Sequence, residues 1–247
     1  MQQTQTLTKQ NNVASYVKVK NLLSKGSTNA KTIKNELETF ILYLAPSNLS
    51  GFNVCPFASE GCIKGCLNTA GRGIMSNVQK SRINKTKFWG FNRSEFYIQL
   101  ANEILKIQDK AIKKDIKIAI RLNGTSDINH LELLERYSGI NFLDSFYSDL
   151  LFYDYTPNPN YIKKYKGTNY KLTFSRKEDN EQKCIEVLNN GGNVAVVFRK
   201  ELPQFWNGYK VINGDDTDLR YLDPINVVVG LKAKGKAKKD ISGFVVG

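Results

Sequence analysis

Short, nearly unbroken apolar runs alternate along this chain with longer stretches whose apolar residues recur at helical spacing. Runs at 39–45, 116–122, 150–155, 170–175, 194–198, 209–212 and 227–231 are rich in β-branched and aromatic residues and read as about seven strands. The first ends at Pro46. Helical spacing predicts helices at 94–114, with Ser94 as N-cap, at 128–137, near 161–165, and at 178–190, stopped by Gly191 and Gly192. Strands alternating with helices imply a parallel sheet, and continuous apolar strands imply burial on both faces. The expected fold is α/β: a single-domain (β/α) barrel of TIM type, complete or incomplete, with an open doubly wound sheet as the second choice. Residues 1–15 are rich in Gln, Thr and Asn and predict a loose leader, leaving 16–247 as one domain.

The same pattern bounds the compartment. The longest apolar runs are far below the ~20 residues that span a bilayer, and no basic-then-apolar signal opens the chain. A cytoplasmic protein without a membrane partner is expected. Thirty-six Lys and Arg against twenty-three acids give a formal charge of +13, which biases the protein toward polyanions and toward nucleic acid first.

Three of the four cysteines fall in one short loop after the first predicted strand: Cys55, Cys62 and Cys66, within a segment 53–73. Three thiolates aimed from a Gly/Pro-punctuated loop suit zinc or an iron–sulfur cluster, although a spacing of six residues then three is not a common zinc-finger pattern. Gly61 and Gly65, each just before a cysteine, are expected to supply the φ > 0 conformations of a tight loop. Cys184 sits on the apolar side of a predicted helix and reads as a core thiol. His130, the only histidine, is a candidate fourth ligand, as are Cys184, substrate and water.

In barrels and open α/β sheets, chemistry collects on the loops after the strands. Those loops carry Asp127, Asp154, Asp215, Asp216, Asp218 and Asp223, with Ser175, Arg176, Arg199 and Arg220. Asp127 also suits a helix N-cap, and the acids at 215–218 suit a turn. Asp154 interrupts an apolar strand, and a buried carboxylate is rare unless paired. The acid-free segment 71–94 contains Arg72, Lys80, Arg82, Lys85, Lys87 and Arg93 together with Trp89 and Phe91. As a loop it would track phosphates with its cations and stack bases on its rings. Lys232, Lys234, Lys236, Lys238 and Lys239 suggest an exposed strand or arm. Walker, Gly-x-Gly-x-x-Gly and His-Glu-x-x-His motifs are absent from the sequence, and one histidine leaves acid–base work to carboxylates, Tyr, Lys or metal-bound groups.

The segment from Asn53 through Cys55, Cys62, Cys66 and Arg72, with the strings ending at Asp127, around Asp154 and at Ser175, resembles the phage protein family known as gene product 88 over residues 40–247. That group is in turn similar to phage DNA guanine transglycosylases. This likeness implies a (β/α) barrel, a structural zinc and catalytic aspartates that exchange guanine in DNA for a 7-deazaguanine base, in the host cytoplasm. Those enzymes resemble the tRNA guanine transglycosylases, which carry their zinc ligands, three cysteines and a histidine, late in the chain, unlike the early cluster here. Base exchange follows retaining-glycosidase logic, with one carboxylate attacking and a second group protonating the leaving base; Asp154 and one acid from Asp127, Asp215, Asp216 or Asp218, with Asp127 and Asp216 first, are the candidates. The target base must leave the stack. On this reading Asp154→Asn abolishes exchange without unfolding the protein. Two other classes stand beside this glycosyltransferase. One is an iron–sulfur enzyme of the radical S-adenosylmethionine type, whose usual cysteine spacing is three then two. The other is a non-catalytic, metal-stabilised nucleic-acid binder.

Overall fold

The computed structural model describes residues 19–26 and 37–247; the expected leader, 1–15, lies outside them. A nine-stranded sheet organises the chain: β1 (Leu23–Lys25), β2 (Thr39–Leu42), β3 (Ile118–Arg121), β4 (Leu150–Thr156), β5 (Tyr170–Ser175), β6 (Asn193–Phe198), β7 (Phe205–Trp206), β8 (Tyr209–Asn213) and β9 (Val228–Lys232). Their order across the sheet is β1-β2-β3-β4-β5-β6-β9-β8-β7. From β2 to β8 every neighbouring pair is parallel, while β1 and β7 pair antiparallel at the two edges. The closed barrel expected from the alternation is therefore not formed. After β6 the chain turns back through the β7–β8 hairpin, and β9 inserts between β6 and β8, so among the described residues no later strand returns to close on β1 or β2. The edges are left as strands of three and two residues, short enough to offer little template for further pairing.

Helices fill the crossovers that parallel pairing requires. The β2–β3 connection holds α1 (Glu60–Lys64), α2 (Ser76–Phe91) and α3 (Arg93–Lys114). Then α4 (His130–Ser138) precedes β4, α5 (Pro159–Lys164) precedes β5, and α6 (Glu181–Asn189) precedes β6. Phe96, Leu100, Ile104, Ile107 and Ala111 give α3 its buried stripe, and the helix ends where Asp115 takes a left-handed conformation (φ 52°). Its N-cap is Asn92 rather than Ser94. The stripe packs with α4 and with Phe40, Leu42, Ile118, Ile120, Leu150 and Phe152 of the sheet in the largest core. A second core joins α6 to β5, β6 and β9 through Phe174, Cys184, Leu188, Val194, Val196 and Val228. The opposite face of the sheet is covered near β3 and β4 by Leu219 and Tyr221, packed on Ala119 and Tyr153.

Two other expectations change. Segment 71–94 is not a loop, because α2 occupies most of it. The lysine strip after β9 is a short 3-10 helix, Gly235–Lys239, rather than a strand. No helix among the described residues is long and apolar enough to cross a membrane.

Candidate functional site

All parallel strands point one way, so the cysteine loop after β2, residues 122–129 after β3, 157–158 after β4 and 176–180 after β5 meet along one edge of the sheet. The loops are laced together. The Asp127 N–H donates to the carbonyl of Val54, at 2.8 Å, one residue before Cys55. The Cys55 sulfur accepts from the Ser47 N–H at 3.3 Å and lies 3.8 Å from the Thr125 carbonyl.

Cys62 lies in α1, and Cys66 follows just beyond the helix's C-cap, Gly65, as the residue that opens the short 3-10 helix Leu67–Thr69. The start of α1 is held by two side chains. Ser59 accepts from the Cys62 N–H and donates to Glu178 at 2.6 Å, and Glu178 also accepts from the Gly61 N–H at 2.9 Å. Gly61 and Gly65 do not adopt positive φ, so their expected conformational role is replaced by a steric one. A Cβ on Gly61 would lie 2.4 Å from the Ser242 Oγ and 2.6 Å from the Phe244 Cβ, and one on Gly65 would lie 3.2 Å from the Phe244 ring. The chain near its C-terminus lies against α1 at these two points, held by Arg176 donating to the carbonyls of Gly243 and Phe244 and by Val246 bridging to β6.

The three thiols are partly buried and unoxidised. Burial pushes Cys55 up to about 11, offset in part by the Ser47 N–H and reinforced by Cys66 and Asp127. Burial pushes Cys62 up to about 12, with Cys66, Cys55, Asp127 and Glu178 adding to the rise. Cys66 is raised by burial too, against the Asn68 N–H and Arg82. The sulfurs thus lie within electrostatic reach of one another, and a cation among them would reverse the effect by favouring thiolates. Among the described residues no three His, Cys, Asp or Glu side chains close round a single metal-ion position.

Asp127 is buried. The Thr156 hydroxyl donates to its Oδ1 at 2.8 Å, and its Oδ2 is enclosed without a hydrogen-bond partner. Burial lifts its pKa to about 6, opposed by Thr156 and Lys177. Asp154, 1% exposed, is the reverse case. It accepts from the Leu122 N–H (3.3 Å), the Asn123 N–H (2.8 Å), the Asn123 amide (3.3 Å) and the Tyr170 hydroxyl (2.9 Å), with the Arg121 Nε 3.8 Å away. Burial lifts it to about 7 despite Arg121 and those donors. Asp216 stands exposed in the turn after β8, bonded to Asn213. Asp218 ion-pairs with Arg121 at 3.0 Å.

The remaining candidates divide. Arg82 is buried, bonded to Asn68 and set 4.7 Å over the Tyr43 ring. Lys85 is buried, bonded to the Leu22 carbonyl at 2.6 Å, and burial lowers it to about 8. Trp89 is core, donating to the Tyr97 hydroxyl at 3.0 Å with Arg93 over its face at 4.2 Å. Arg72, Lys80 and Lys87 are exposed. His130 is sealed in the helical core against Tyr97, and burial lowers it to about 3. Cys184 is a core thiol. Neither is placed with the other cysteines. Thr156 and Glu178 belong to the site without having been marked by any motif.

A family model described as gene product 88 matches residues 18–246. The chain belongs to this phage gene-product family. No curated protein and no solved structure matches it, and the family match carries no guanine transglycosylase relationship with it.

Proposed function

We infer that this protein is an iron–sulfur enzyme of the radical S-adenosylmethionine type, with Cys55, Cys62 and Cys66 holding the cluster. The observation that carries this reading is topological. The three-cysteine loop issues from the first parallel strand of an open sheet in which β2 to β6 follow one another in chain order.

Three protein thiolates leave one iron position for a small molecule. A single zinc with bonds of about 2.3 Å to sulfur needs the sulfurs close together, whereas a cluster spreads its thiolates over several metal atoms. The six-then-three spacing departs from the usual pattern of that enzyme class: Cys62 sits within α1 and Cys66 just past its C-cap. When bound, such a cluster supplies the electron that cleaves S-adenosylmethionine. The protein's own part is to exclude water and position: Glu178 and Ser59 fix α1, and the free Oδ2 of Asp127 offers an acceptor to an ammonium or hydroxyl group beside the cysteines.

Protein purified without oxygen is expected to be brown, with iron and acid-labile sulfide that disappear together in any one Cys→Ala variant. A colourless protein containing about one zinc would sink this reading.

A second reading, base exchange on nucleic acid, draws on one observation. Two carboxylates with raised pKa stand at the same edge of the sheet. Asp154 is surrounded by donors, so Asp127 is the carboxylate with an oxygen to spare. In that case Asp127→Asn abolishes exchange of labelled guanine into DNA, and retained turnover removes Asp127 from the mechanism.

A further inference from the structure

The segment that carries β1 is fastened to two helices at once. On α3, the Glu103 carboxylate accepts from the Leu22 and Leu23 N–H groups, both at 2.8 Å, and the Gln99 amide donates to the Val19 carbonyl at 3.1 Å. On α2, the buried Lys85 ammonium donates to the Leu22 carbonyl at 2.6 Å. Between this segment and α2 lies an open groove of about 690 Å³. Lys20 and Lys25 stand on its strand wall and Lys80 on its helix wall, and Lys85 joins the two. Lys25 also pairs with Glu38 at 3.7 Å. Asn21, Asn77 and Asn84 add neutral donors, and among the described residues no carboxylate lines the groove.

The first three turns of α2 are polar almost all round, with Val78 and Ile83 the only apolar side chains between 76 and 86. Such a helix lacks one apolar face to direct its packing, and its two sides are used differently. One holds the approaches to the cysteine loop: Gln79 and Arg82 bond Asn68, and Thr86 bonds the Ala45 N–H. The other presents Asn77, Lys80, Ser81 and Asn84 to the groove, spaced three, four and seven residues from the first.

We propose that this groove binds the sugar-phosphate backbone of a single-stranded nucleic acid, without regard to base sequence. The inference stands on the groove alone and needs neither the iron–sulfur reading nor base exchange. A cationic groove tracks a phosphate backbone, and Lys, Asn and Ser side chains are the kind that bond phosphate and sugar oxygens. Among the described residues no aromatic ring lines the groove, so nothing there stacks on the bases. An acidic protein would call for an apolar centre with a charged rim, whereas the apolar lining here is Val19 and Leu23, and Leu23 is buried. The walls are one extended segment and one helix bonded directly through Lys85 and the Leu22 carbonyl. They lie too close to admit a duplex.

The test titrates the full chain with a labelled oligonucleotide of mixed sequence, as single-stranded DNA, as RNA and as a DNA duplex, over about 50 to 200 mM salt. Lys20→Ala with Lys80→Ala removes two exposed cations from opposite walls. Single-strand binding is expected to weaken on the order of ten-fold at about 0.1 M salt, and the slope of log affinity against log salt to flatten by about 1.4, at about 0.7 for each phosphate contact. DNA and RNA should lose alike. Lys163→Ala with Lys183→Ala, on α5 and α6, removes the same charge elsewhere and should leave affinity and slope nearly unchanged. Equal losses in the two double variants would reduce the effect to net charge and overturn the proposal. Unchanged binding in the groove variant overturns it too, as does a duplex bound as tightly as the single strand. If the groove variant instead loses binding to phosphatidylserine vesicles while its DNA binding stands, the surface belongs to lipid and the proposal fails. The colour and metal content of the protein bear on none of these outcomes.

Discussion

Asp127 and Asp154 stand at the same edge of the sheet, one in the loop after β3 and one within β4, and their surroundings are opposite. Asp154 is met by four hydrogen-bond donors and a nearby guanidinium. Asp127 has one donor and one enclosed oxygen with none. A carboxylate whose acceptor sites are filled by its own protein ties β3, β4 and β5 together and has nothing left to offer a ligand. One held by a single hydroxyl, with an unpartnered oxygen and within electrostatic reach of Cys55 and Cys62, carries a cost of burial that its one hydrogen bond only partly offsets. That contrast makes Asp154 part of the scaffold and leaves Asp127 as the carboxylate of the candidate site.

The largest effect expected from this division is all-or-none. Replacing Cys55, Cys62 or Cys66 by Ala should abolish cofactor content, while the cofactor-free protein keeps its stability to within about 1 kcal/mol. Metal and sulfide analysis alongside urea unfolding reads both. On the iron–sulfur reading, burial that raises Cys55 to about 11 and Cys62 to about 12 makes binding release protons, so cofactor content is expected to rise with pH.

Next comes the comparison itself. Asp154→Ala removes the partner of several buried donors and of Arg121, and should cost about 3–5 kcal/mol. Asp127→Ala gives up one hydroxyl contact and should cost about 1 kcal/mol. Unfolding curves showing the reverse order would break the assignment. The pH dependence sharpens it. The Asp154 carboxyl is raised from the usual 3.8 to about 7 in the folded protein. Its contribution is therefore full below the unfolded value and is lost as pH rises through about 7. The stability gap between the unaltered protein and Asp154→Ala should widen as pH falls from 8 to 5.

Most of the architecture was legible because strand and helix periods are local. β5 occupies the predicted 170–175, and β4, β6, β8 and β9 lie within a residue or so of expectation at each end. Closure was not legible, since whether a strand returns to β2 depends on pairings distant in sequence. The β7–β8 hairpin did leave a signal. Asn207 (φ 47°) and Gly208 (φ 82°) are the two-residue Asn-Gly turn between Trp206 and Tyr209, a strong local hairpin mark. The cysteines and acids were found by residue type, but type does not separate a filled carboxylate from an unfilled one. Partners do, and Tyr170 and Thr156 are distant in sequence from the acids they contact. Segment 71–94 misled for a related reason: its cations suggested a loop for phosphates, whereas Arg82 and Lys85 have partners that folding brings to them, Asn68 and the Leu22 carbonyl.

The glycines of the cysteine loop give the next smaller test. Gly61→Ala drives a methyl into Ser242 and the backbone-proximal carbon of Phe244, neither of which can move far while Arg176 holds the carbonyls at 243 and 244. Overpacking of this kind costs about 1–3 kcal/mol. Gly65→Ala meets the Phe244 ring at 3.2 Å and the Gly61 carbonyl at 3.1 Å, a tighter-than-usual contact that a small shift relieves, so it should cost less.

The smallest expected effects distinguish the two kinds of cation on α2. Lys80 and Lys87 are exposed, and their change to Ala should move stability by no more than about 0.5 kcal/mol. Lys85→Ala leaves the Leu22 carbonyl without its donor and should cost about 1–3 kcal/mol, a difference that thermal unfolding of the three variants resolves. If all three weaken binding of single-stranded DNA equally, α2 contacts phosphates along its length and Lys85 leaves its buried position to do so. If only the exposed pair matters, or none does, the basic helix is first a strut: it fixes Thr86, which donates to the Arg82 carbonyl and accepts from the Ala45 N–H at 2.8 Å, and through that bond it sets the point from which the cysteine loop departs.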